Sequence, residues 1–126
     1  GASSDEAYYH DLLGRTLIAE KRYEEGLAEF REAQRTAALL REYFDFRKDF
    51  ARGCLEAGET REAIDEGLKL LAYNGNDGDV LSLLGLAYER QGFADKARIY
   101  FQRARGVWSG ADPGFSPLAA IILGGK

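Results

Sequence analysis

Three small residues, Gly26, Ala63 and Ala97, stand 37 and then 34 residues apart, each just inside an apolar-patterned segment. The stretches around them, "AEKRYEEGLAEFREA", "EAGETREAIDEGLKLL" and "ERQGFADKARIYFQRA", each read as a helix end, a tight turn and the opening of a second helix. A chain built on one recurring supersecondary unit cannot bury the apolar face of any unit alone, so its core comes from stacking neighbours. The remaining pattern agrees. Both prolines, Pro113 and Pro117, fall in the last 14 residues, β-branched residues are scarce, and apolar residues recur at three and four rather than alternating. In "SSDEAYYHDLLGRTLIAEKR", Ser3 and Glu6 are spaced as a capping box, and Tyr9, Leu12, Leu13 and Leu17 form one stripe. Gly58 and Gly92 stand where helices are expected to stop. The expected fold class is all-α.

A period of about 34 residues is that of the tetratricopeptide repeat (TPR), and the chain resembles that family over nearly all of residues 5–108. The third unit carries the resemblance best. Leu81 stands at the family's Trp site, Leu84-Gly85 supplies its Leu-Gly pair, Tyr88 comes three residues later, and Ala97, Phe101 and Ala104 match the second helix. The first unit matches with Leu13-Gly14, Leu17, Gly26, Phe30 and Ala33, the second more weakly with Phe50-Ala51, Cys54 and Ala63. The resemblance implies a helical-repeat solenoid of three TPR-like helix-turn-helix units, at approximately 5–38, 41–73 and 77–108. A short C-terminal capping helix at 116–123, opened by Ser116-Pro117, completes a single domain over 1–126. By the same resemblance Gly14, Gly85 and Ala51 lie where the two helices of a unit approach closely, and Phe30 and Phe101 fill the gap toward the next unit.

Three stretches carry expectations of their own. Gly67 stands where the second unit should carry an aromatic and Leu70 where it should carry Ala, an exchange that conserves volume but places a glycine in mid-helix at a cost of about 1 kcal/mol. "RTAALLREYF" holds the extra residues of the second unit and contains no Gly, Pro or Asn, which predicts a lengthened helix. In "YNGNDGD", Gly75 is expected as a left-handed helix stop and Asn76 or Asp77 as the next cap; its oxygens fall in the wrong order for a calcium loop. The start "GASSDEA", without Met, reads as that of a domain excised from a larger protein.

The formal charge of −4 argues against nucleic acid as a partner, and no apolar run approaches the roughly 18–20 residues that cross a membrane. The lone Cys54 forms no intrachain disulfide and is read as a buried small hydrophobe; the lone His10, beside Glu6 and Asp11, is not accompanied by a metal-ligand pattern. No catalytic arrangement can be written, so the expectation is a non-enzyme without cofactor or metal. Trp108 is read as packing the junction between the third unit and the C-terminal tail. The compartment is left open, a cytoplasmic one being favoured.

The resemblance to the TPR family nominates a concave groove lined by first helices: Tyr8, Asp11, Leu12, Arg15 and Ile18; Lys48, Asp49, Arg52 and Leu55; Ser82, Leu86, Glu89 and Arg90. Of these Tyr8, Arg15, Lys48, Arg52, Leu86 and Arg90 are the candidate peptide-binding residues, and the cations among them suit an acidic protein or peptide partner. A second interpretation stands beside it, in which Asp11 neutralises Arg15 while Asp45, Asp49 and Glu56 neutralise Lys48 and Arg52. The Lys and Asn carboxylate clamp of the family's chaperone-binding members is absent, since Asn74 and Asn76 are the only asparagines. Around the leading interpretation, an interaction scaffold, stand self-association as a monomer or weak homodimer and an accessory role beside an enzyme domain. Phe46 and Phe50, one turn apart, are expected in the core, which leaves Tyr43 or Phe44 as an exposed anchor.

Overall fold

Six α-helices succeed one another through residues 4–109, the part of the chain that the computed structural model describes. They are α1 (Ser4–Ala19), α2 (Tyr23–Thr36), α3 (Tyr43–Glu56), α4 (Thr60–Tyr73), α5 (Gly78–Arg90) and α6 (Ala94–Trp108), and no strand occurs among the described residues. The chain divides into two compact units, Gly1–Glu66 and Gly67–Lys126. Ser3 of the expected capping box and the expected capping helix at 116–123 lie outside the described residues.

The first, third and fifth helices end in one motif. After α3, Gly58 has φ +84°, its N–H donates to the Leu55 carbonyl at 3.2 Å and the Glu59 N–H reaches back to the Cys54 carbonyl at 2.8 Å. After α5, Gly92 has φ +84°, with bonds from Gly92 N to Glu89 O at 3.0 Å and from Phe93 N to Tyr88 O at 2.9 Å. This is the six-to-one and five-to-two pairing of a Schellman cap, and the Tyr88 and Phe93 rings, 6.3 Å apart, supply its apolar contact. Both glycines therefore stop helices as expected. After α1 the same bonds run from Lys21 N to Ile18 O and from Arg22 N to Leu17 O, at 2.9 and 2.8 Å, with Lys21 itself at φ 63°. A Cβ is strained there. Lys21→Gly is accordingly expected to stabilise the chain by about 1 kcal/mol, read as a higher urea midpoint at unchanged m value.

In the first unit, Phe30 is the wedge between three helices. It is 2% exposed, and a Cβ added at Gly14 of α1 or at Gly53 of α3 would lie 2.7 or 2.6 Å from its ring. Around it Leu17, Ile18, Leu27, Phe50, Ala51 and Cys54 are buried. The α1 core stripe is Ala7, Asp11, Gly14 and Ile18 with Leu17, whereas Tyr9 and Leu12 of the expected stripe are exposed. "RTAALLREYF" is not a lengthened helix. α2 stops at Thr36, and turns closed by bonds from Leu40 N to Ala37 O (2.8 Å) and Tyr43 N to Leu40 O (3.2 Å) lead into α3. The cause is burial: Ala37 is fully enclosed with Ala7, Ala33 and Phe46, and Leu40 packs on that cluster, so tertiary contact overrides local helix propensity.

In the second unit, Leu81, Leu84, Ala87, Ala97 and Ala104 are buried, and the Phe101 ring leaves no room for a side chain at Gly85. Trp108, 8% exposed, packs with Leu81 and Ala104 and lies so close to α5 that a Cβ at Gly78 would sit 2.4 Å from its indole. Gly67 is more than a volume exchange with Leu70: a Cβ there would meet Leu84 at 2.8 Å, so the helix accepts its mid-helix glycine in return for close approach to α5. Gly75 is not in the left-handed region. The turn is closed instead by Asn74, whose Oδ1 accepts the Asn76 N–H at 3.0 Å, while Asp77 caps α5 by accepting the N–H groups of Asp79 and Val80 at 3.1 and 3.2 Å.

Candidate functional site

The groove residues nominated from the sequence fall on both units. Tyr8 and Arg15 on α1 and Lys48 and Arg52 on α3 belong to the first unit; Leu86 and Arg90 on α5 belong to the second. In the first unit the α1 positions Tyr8, Leu12 and Arg15 are all outward, 49%, 58% and 56% exposed, and one helical turn separates each from the next. Tyr8 also leans edge-on against the buried Phe46, ring centroids 5.0 Å apart, which limits the rotamers it can adopt. On α3, Phe46 and Phe50 are in the core as expected, and Phe44 is the aromatic left exposed. Lys48 is half-buried and Arg52 exposed; in the second unit Leu86 is half-buried and Arg90 exposed.

Arg15 and Arg52 share the wall of a cavity of about 280 Å³, with Ile18 and Phe30 as its buried apolar part and Asp49 and Glu56 also on its lining. Each arginine has a carboxyl partner within its own helix. Arg15 Nε lies 3.2 Å from Asp11 Oδ2, and Arg52 Nη1 donates to Asp49 Oδ1 at 3.3 Å. Of the pairings expected from helical spacing, Arg15 with Asp11 and Arg52 with Asp49 are formed. The four groups are not equivalent. Asp11 is 2% exposed and its Oδ1 has no donor. Burial, then the neighbouring Asp49 carboxyl of α3, push its pKa up to about 8, against the opposing pull of Arg15 and Arg52.

The depth of Asp11 is what sequence reading missed. The signal was present: Ala7, Asp11, Gly14 and Ile18 stand at i, i+4, i+7 and i+11, so a carboxyl occupies the middle of a small and apolar stripe. Elsewhere in the unit His10 Nδ1 lies 2.7 Å from Glu29 Oε2, and the nearly buried Arg47 donates to Glu66 at 3.0 Å. Cys54 is fully enclosed, and burial, with the nearby Glu62 carboxylate as the next cause, pushes its thiol up to about 12, away from the range of a nucleophile. No three His, Cys, Asp or Glu among the described residues are grouped as metal ligands, and no described helix is long and apolar enough to cross a membrane.

The Sgt2 TPR domain from Aspergillus fumigatus superposes on 95% of this chain, over 76% of its own, with a TM-score of 0.74 at 14% identity. This chain has the tetratricopeptide-repeat fold. The C-terminal TPR-containing domain of a Plasmodium falciparum protein agrees, covering 97% of this chain and 89% of its own with a TM-score of 0.65 at 16% identity. MamA from AMB-1 matches 85% of this chain with a TM-score of 0.68 at 23% identity, and the chain spans 62% of the MamA chain's length. At such identities the likeness is one of TPR fold alone. No protein-family profile and no curated protein sequence matches the chain.

Proposed function

We propose that this TPR-fold chain is a non-catalytic interaction scaffold that holds an acidic peptide segment of a partner protein against the first helices of its repeats. In this reading the repeats are the three helix pairs at approximately 5–38, 41–73 and 77–108. The observation that carries it is the α1 face of the first unit, where two exposed apolar side chains, Tyr8 and Leu12, adjoin Arg15 and its cavity. Apolar anchors beside half-exposed guanidinium groups suit a segment that mixes apolar residues with Asp or Glu. Lys48 and Arg52 extend the cationic contacts on α3, and Leu86 with Arg90 are the equivalent contacts that the second unit offers.

Reversing one charge tests this. Arg52→Glu is expected to weaken an acidic peptide's binding by about tenfold or more, as losing a charge-assisted hydrogen bond and adding a repulsion requires. Fluorescence anisotropy reads the affinity, and circular dichroism confirms that helicity is unchanged. Equal affinities of the two proteins reject the acidic-peptide reading.

A further inference from the structure

Phe30 and Phe101 stand 71 residues apart, the sum of the two repeat spacings, yet their surroundings differ. Both ring edges of Phe30 are covered: a Cβ added at Gly14 of α1 would meet its Cδ1 at 2.7 Å, and one at Gly53 of α3 would meet its Cε2 at 2.6 Å. Phe101 has the same cover on one edge only. A Cβ at Gly85 of α5 would lie 2.6 Å from its Cε1, but no described helix follows α6 to take the opposite edge. The ring is accordingly half-buried, on the wall of a cavity of about 290 Å³. Its neighbours on the helix differ as well. Where α2 has Leu27 and Gln34 on either side of Phe30, α6 has the exposed Arg98 and Arg105, both lining that cavity. Arg105 makes no ion pair among the described residues, and the pair of Arg98 with Asp95 at 2.7 Å is exposed on both sides. A helix that covers Phe101 thus needs apolar or small residues in its middle and carboxylates near its ends.

α1 has that pattern on its uncovered side. In the first unit α3 packs on α2 through Phe46, which meets Ala33 and Ala37, and through Gly53, which meets Phe30 and Leu27, so the two helices run antiparallel. Thirty-seven residues before Phe46, Phe50 and Gly53 stand Tyr9, Leu13 and Thr16, of which Tyr9 and Thr16 are exposed and Leu13 half-buried. Carboxylates flank them: Asp5 and Glu6 in the first turn of α1 and Glu20 just beyond its last, all exposed. We propose that α1 of one copy of this chain docks antiparallel on α6 of a second copy, with Leu13 and Thr16 against the open edge of Phe101. Asp5 and Glu6 then approach Arg105, and Glu20 approaches Arg98. Thr16 is bulkier than Gly53, and the cavity beside Phe101 gives it room. The stripe used is the neighbour of Tyr8, Leu12 and Arg15, so the contact does not rest on the acidic-peptide reading. Because the two faces differ, the interface is heterologous: each copy in a pair keeps one face free, and association continues past two.

Sedimentation velocity of the full chain at low salt tests this. One helix laid on another buries less than the roughly 1,600 Å² of a standard interface, so association is weak and is followed up to about 1 mM. The wild-type mass is expected to climb with concentration beyond that of a dimer. Arg105→Glu, which sets a carboxylate against Asp5 and Glu6, is expected to weaken association about tenfold or more, and so is the double substitution Asp5→Lys, Glu6→Lys, which sets cations against Arg105. All three positions are exposed, and circular dichroism checks that each variant keeps its helicity. An equimolar mixture of the two variants is expected to associate again, since each α6 face then finds an α1 face of opposite charge. A wild type that stays monomeric, or whose mass levels off at the dimer, overturns the proposal. So do variants that associate as the wild type does, and a mixture that stays as dissociated as its components.

Discussion

Phe30→Ala is expected to cost about 3–5 kcal/mol, the range for a large aromatic removed from a core that cannot collapse. Phe30 is 2% exposed and stands against Gly14 of α1 and Gly53 of α3, two positions that have no side chain with which to fill the space. The walls of the cavity would be helix backbone, and backbone relaxes less than side chains do. Urea denaturation monitored by circular dichroism measures the loss as a lower midpoint. A loss below about 1 kcal/mol would show that α1 and α3 close onto each other and that the wedge is dispensable. Gly14→Ala, whose added methyl would lie 2.7 Å from the same ring, is a control that damages the contact from its other side.

Trp108→Ala should have an effect of similar size, about 3–5 kcal/mol, for a related reason in the second unit. The indole covers Leu81 and Ala104 and fills the space left by Gly78 at the start of α5. The more diagnostic result is a coupling. Gly78→Ala alone is expected to be strongly destabilising, because its methyl would be 2.4 Å from the indole, whereas the same substitution in a Trp108→Ala background should cost far less. The double-mutant cycle, read from urea midpoints, is expected to give an interaction of about 1–3 kcal/mol, and additive effects would dissociate Trp108 from Gly78. Trp108 was expected to pack the junction between the third unit and the C-terminal tail; its contacts are with α5 and α6, and the tail beyond Ser109 lies outside the described residues.

Much of the candidate site was legible residue by residue. Arg15 with Asp11 and Arg52 with Asp49 are pairs within one helix, and helical spacing alone places such groups side by side. That Tyr43 or Phe44 is exposed was implied by the burial of Phe46 and Phe50, one turn apart, and the structure decides for Phe44. The meeting of Asp11 with Asp49 could not be read, since they lie on α1 and α3 with a whole helix between them in the chain. Their apposition depends on how the two helices cross, and periodicity within either helix contains no information about the other. The upward shift of the Asp11 pKa depends on that apposition and on burial, so it too was out of reach.

The sequence by itself determined the helices, their 37- and 34-residue recurrence, and the stops at Gly58 and Gly92, because each is a property of a few neighbouring residues. The resemblance to the TPR family also marked Gly14 and Gly85 as places of close approach, but that the Phe30 and Phe101 rings are what lies against them was visible only in the structure. Tertiary structure decided where local rules gave the wrong answer or none. It turned the chain at Ala37–Leu40 because burying those two side chains outweighs one more helical turn, and it held Lys21 in a conformation that its own Cβ disfavours because the equivalent helix must end there. It also set a carboxyl group in the core stripe of α1, near another from α3, where burial raises the cost of its charge.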